Sequence, residues 1–86
     1  MILFHAFLID MNLKESTLAA LTEMNCWADA AQVFDFMKNH NYFIGNSKTP
    51  YKSVISVLYR FAEEKTIDRK NEENHKLPLY KAKSLD

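Results

Sequence analysis

The chain has one cysteine, one glycine and two prolines in 86 residues, and no excess of charge of either sign. Each scarcity excludes something. Cys26 has no partner for an internal disulfide, so the expected compartment is a reducing cytoplasm. With Gly45 alone there is no glycine-rich phosphate loop, and so little glycine and proline excludes linker-like and collagen-like chains. No apolar run is long. The opening "MILFHAFLID" falls far below the ~20 residues of a membrane span. It also lacks the basic segment and small-residue cleavage site of a signal peptide. No membrane association is expected.

What is present suits one small domain. About 48% of the residues are apolar, enough for a core that hides somewhat over ~60% of the unfolded surface. A net charge of zero argues against a strongly basic nucleic-acid binder, but the charge is unevenly placed. Residues 1–47 hold two basic and five acidic side chains, and residues 48–86 hold nine basic and six acidic, giving −3 and +3. A polarised domain can present one basic face without being basic overall.

Periodicity and caps predict the elements. Asn12 and Glu15 form an N-terminal capping pair, and Leu13, Thr17, Leu18, Leu21 and Met24 share a face, so a first helix is expected over 13–24. Asn25 stops it. Cys26 and Trp27 are expected to form a short extended piece that tucks the indole into the core. A second helix follows over about 29–39, with Asp29 near its start, Ala30, Val33, Phe34 and Met37 inward, and Gln32, Asp35 and Lys38 opposite. "NHNYFIGNSK" is a loop with Phe43 and Ile44 pinned inward. Thr49 is placed to cap a third helix and Pro50 to occupy its first position. On it, Val54, Ile55, Val57, Leu58, Phe61 and Ala62 cover one arc. Lys52, Ser53, Ser56, Tyr59, Arg60 and Glu63 cover the other, and the helix ends near Lys65. Strands are expected at about 66–71 and 77–83, with Pro78 tolerable on an edge and "NEENHK" at the tip between them.

Three helices followed by a β-hairpin make a winged helix-turn-helix: an α+β domain, mostly α, over residues 11–86. Residues 1–10 are left as an apolar arm or extension, with either Met1 or Met11 the native start. "ILFHAFLI" could pair with a second copy or pack on its own core.

The chain resembles the HARE-HTH type of winged helix over roughly residues 13–83. The carriers are Trp27 ahead of the second helix, the Lys48-Thr49-Pro50 start of the third, the ending Leu58-Tyr59-Arg60-Phe61, and a terminal strand with Tyr80. The resemblance implies a module without catalytic activity. Such domains occur beside bacterial restriction and modification enzymes, in an RNA polymerase accessory subunit and in chromatin proteins. They are thought to bind or sense DNA, and some contact proteins. This chain departs from the pattern twice. Its wing is long, charged and free of glycine, with Glu72 and Glu73 in it, and its second helix opens with Ala28-Asp29 rather than Ser or Thr.

Double-stranded DNA is therefore the first expected partner. Lys48, Thr49 and Lys52 sit where helix amides favour a phosphate. Ser53, Ser56 and Arg60 continue that face, and Arg and Ser can bond base edges. On the wing, Arg69, Lys70, His75 and Lys76 could lie along a phosphate backbone. The rival expectation is a protein-interaction or adaptor module that dimerises or serves a fused or partner domain. No cofactor or metal is expected. His5, His40 and His75 are far apart, and Cys26 has no second cysteine at ligand spacing, which leaves it as a small buried hydrophobe. Glu63-Glu64-Lys65 contains a fragment of a nuclease motif, but at a helix end without the strand and upstream Asp that would hold Mg²⁺.

Overall fold

The structure is a computed structural model that describes residues 12–83. The apolar arm, His5 and the question of the native start lie outside those residues. Three helices, α1 (Leu13–Met24), α2 (Ala30–Asn39) and α3 (Pro50–Glu63), precede two antiparallel strands, β1 (Ile67–Lys70) and β2 (Leu79–Ala82). The fold is the small, mostly helical α+β arrangement of a winged helix, as the sequence predicts.

The helix boundaries follow from local chemistry. Asn12 caps α1: its side chain accepts from Glu15 N at 2.8 Å, and Glu15 Oε1 accepts from Asn12 N at 3.2 Å. Asp29 and Gln32 repeat the motif at α2, with both bonds at 2.9 Å. Asp29 thus stands just outside α2 as its cap, a place that favours Ser, Thr, Asp or Asn. Asn25 ends α1 in the left-handed region, at φ 50°. Both α2 and α3 end in Schellman turns. The amides of Tyr42 and Thr66 donate to Met37 O and Phe61 O at 2.8 Å, with Asn41 and Lys65 at φ 60° and 63°. That region suits Gly and Asn and strains Lys.

Leu21, Val33, Met37, Val54 and Leu58 are fully buried where the three helices meet, and Ile67 and Tyr80 seal the core from the hairpin side. The hairpin is fastened to the helices by backbone. Ala28 N donates to Tyr80 O at 3.0 Å, and Tyr80 N donates to Ala28 O at 2.8 Å. β2 therefore pairs with β1 on one edge and with the α1–α2 junction on the other. Ser16 Oγ donates to Phe43 O at 2.7 Å and ties the α2–α3 loop to α1. Tyr42 Oη reaches Glu23 at 2.8 Å. Burial first, and then the Glu23 carboxylate, push that phenol up to about 12.

Five expectations are corrected. The indole of Trp27 is only half-buried, and Cys26 is exposed. The residue that pairs with β2 is Ala28, one step on. Successive side chains of an extended segment alternate sides, so Ala28 facing in sends Trp27 out. Thr49 does not cap α3; its hydroxyl lies 3.3 Å from Ser47 Oγ, and its ψ of 69° is not that of a cap. Ile55, placed on the buried arc, is 37% exposed, because it lies about 100° round the helix from Val54. Phe43 is exposed while Ile44 packs on the core; the loop is held by the Phe43 carbonyl rather than its ring.

Thr17 Oγ1 is buried without a hydrogen-bond partner among the described residues. An unpaired buried hydroxyl costs about 1–3 kcal/mol. The nearly isosteric Thr17→Val is therefore expected to raise the unfolding free energy by about 1 kcal/mol in urea melts. A loss of stability would mean that the hydroxyl does find a partner in solution.

Candidate nucleic-acid interface

The side of α3 turned away from the core carries Lys52, Ile55, Ser56, Tyr59, Arg60 and Glu63, all exposed. They recur at three- and four-residue steps because Val54, Leu58 and Phe61 occupy the opposite face. Lys48 and Thr49 precede the helix and are also exposed, while Ser53 is half-buried, its hydroxyl turned back to Thr49 O at 3.4 Å. Pro50 has no N–H. Since Thr49 fails to cap, the amides of Tyr51 and Lys52 find no side-chain acceptor among the described residues. Such a helix start, flanked by two lysines, is disposed toward an anion.

A shallow open groove of ≈ 680 Å³ runs along one flank of this face. Ile55, Tyr59, Pro78 and Tyr80 line it with carbon, and Ser56, Arg60 and Glu63 rim it. On the other flank a smaller cleft of ≈ 100 Å³ brings Ser56 and Arg60 together with Lys14 of α1. Ser56 and Arg60 thus stand on the ridge between the two depressions.

The hairpin's cations behave differently from those of α3. Arg69 lies 4.0 Å from Glu63, with its guanidinium 5.6 Å from the Tyr59 ring centre. Lys70 Nζ lies 3.6 Å from Glu72 and 4.5 Å from the centre of the Trp27 ring. His75 Nε2 meets Asp29 Oδ2 at 2.9 Å, so the hairpin tip rests on the cap of α2. Lys76 is exposed with no ion pair among the described residues, and the same holds for Lys48, Lys52 and Arg60. The structure thus brings Arg69 beside the α3 face, while Lys70 and His75 are engaged elsewhere.

Sequence reasoning missed two residues, Lys14 and Ile55, and one pair, Asp29 with His75. Lys14 looks like any solvated first-turn lysine until α1 packs on α3. Asp29 and His75 are 46 residues apart and were assigned separate roles. Ile55 was counted as core. Among the described residues no cluster of His, Cys, Asp or Glu could hold a metal ion, and no helix is long and apolar enough to cross a membrane. Compared with protein-family models, curated proteins and solved structures, the chain finds no significant match.

The Asp29 carboxylate caps α2 with one oxygen and holds His75 with the other. The cap is worth about 0.5–2 kcal/mol. The contact with the imidazole, which is 39% exposed, is worth less, about 0–1 kcal/mol. In denaturant melts, Asp29→Ala should therefore cost more stability than His75→Ala, with Asp29→Asn between them because Asn keeps the cap. Equal losses for Asp29→Ala and His75→Ala would assign the stabilisation to the pair instead.

Proposed function

We propose that this domain is a DNA-binding winged helix of the HARE-HTH type, with α3 as its reading helix and the hairpin as an accessory. The observation that carries the reading is the set of unpaired cations on the outer side of α3. Lys48, Lys52 and Arg60 make no ion pair among the described residues; Lys48 and Lys52 flank a helix start that has no side-chain cap among those residues, and Arg60 stands in the last turn. Phosphate contacts at such a position fix the docking register, and side chains along the helix read base edges. Arg60 suits a bidentate contact with guanine, and Ser56 suits either base or phosphate. Arg69, stacked on Tyr59, extends the basic surface, whereas Lys70 and His75 hold the hairpin in place. A recognition or sensing role in a bacterial restriction-modification system rests on the family resemblance alone.

A protein-interaction module is the second reading. The carbon-lined groove beside α3 favours it, as do the exposed side chains of Ile55, Tyr59 and Leu77, which ordinary phosphate binding does not need. Binding to a labelled duplex, followed by anisotropy as salt is raised, separates the two. The DNA reading expects affinity that collapses with salt. Arg60→Ala should cost about 1–3 kcal/mol if it reads a base, and Lys52→Ala should reduce the salt slope by about one if it holds a phosphate. Unchanged binding in both variants contradicts the assignment of α3. No binding at low salt favours the protein-interaction reading.

A further inference from the structure

The groove beside α3 exposes more carbon than contact with a phosphate backbone uses. Ile55, Tyr59, Pro78 and Tyr80 line it. Ile55 and Tyr59 stand exposed, and so does Leu77 next to Pro78. The volume of ≈ 680 Å³ falls in the ~300–1,000 Å³ range of clefts that enclose a bound body. The wall that α3 gives it, from Ile55 to Glu63, is about 12 Å long at ~1.5 Å per residue. The sequence holds a segment of matching chemistry. Within residues 1–11, only His5 and Asp10 are not apolar. That segment precedes the described residues, which begin at Asn12, the cap of α1.

The point of attachment lies beside the groove. Lys14, just past the cap, lines the small cleft together with Ser56 and Arg60, and Ser56 and Arg60 also rim the groove. A segment that leaves α1 there reaches the groove across that one ridge. Residues 1–11 extend to at most ~36 Å, about three times the length of the α3 wall. Exposed apolar surface of this kind marks a contact site, and a tethered segment meets it at an effective concentration of about millimolar, ahead of free partners that are scarcer. Asp10, the segment's one acid, approaches Lys14 and Arg60, and that attraction favours the crossing. We infer that residues 1–9 of the same chain occupy this groove, with apolar side chains against Ile55, Tyr59 and Pro78. Another protein then has to displace them, while the end of α3 that carries Lys52 stays open. The inference does not rest on the DNA reading.

The test uses the full chain without nucleic acid. Nuclear Overhauser contacts are measured in the isotope-labelled chain, and again in an equal mixture of labelled and unlabelled chain, filtered so that only contacts between copies appear. The expected result is contacts from the methyl groups of Ile2, Leu3, Leu8 or Ile9 to the Tyr59 ring and Pro78 in the first sample, and none in the mixture. Tyr59→Ser, which alters an exposed residue, should weaken those contacts and shift the amides of residues 2–9. Thermal melts confirm that the variant folds. Contacts that appear in the mixture overturn the inference in favour of the arm of a second copy. Absence of contacts with the groove in both samples overturns it and leaves the groove open to another protein. Neither outcome bears on the DNA reading, which the duplex titration decides.

Discussion

Two backbone hydrogen bonds between Ala28 and Tyr80 hold the hairpin to the helical body. A two-stranded ribbon by itself is marginally stable in water. With them, β2 is paired on both edges, and Tyr80 is carried into the core beside Ile67. The next residue, Asp29, starts α2 with one carboxylate oxygen and meets His75 of the hairpin tip with the other. The Ala28–Asp29 dipeptide thus sets the strand pairing, the origin of α2 and the resting place of the wing. The flank of α3 where Pro78 and Tyr80 stand against Ile55 and Tyr59 inherits its shape from that junction.

The electrostatics divide along the same line. The chain as a whole is neutral, so any attraction for an anion has to come from how its charges are paired. Arg69 and Lys70 lie near carboxylates and over aromatic rings. These contacts are exposed and individually weak, but they engage Arg69 and Lys70 in holding the hairpin, whereas Lys76 makes no ion pair among the described residues. Lys52 and Arg60 of α3 make no ion pair among the described residues either. The proposed function therefore rests on α3 more than on the wing, and the glutamates of the long, charged wing do not count against it. The carbon-lined groove alongside fits less readily with DNA and sustains the protein-interaction reading.

Local chemistry was legible in the sequence, and tertiary choices were not. Asn12 with Glu15, Asn25, and Pro50 place the helix boundaries from interactions a few residues long, and the hydrophobic spacing of α2 and of Val54, Leu58 and Phe61 gave the core face. The phase of the short extended piece was missed by one residue, because a single bridging pair leaves no alternation pattern to read. Thr49 failed as a cap through a competing contact with Ser47. Ile55 lay at the margin of an apolar arc whose width depends on what packs against it. The cleft of Lys14 with Arg60 and the pair of Asp29 with His75 exist only once distant elements meet.

The central claim is that the outer side of α3 is where a duplex docks. Amide chemical-shift mapping of the chain as a short duplex is added at low salt tests it most directly. The account predicts the largest shifts at Lys48, Lys52, Ser56 and Arg60, with smaller ones at Arg69. Shifts centred instead on α2, where the Phe36 ring stacks on His40, or no shifts at all, would contradict it.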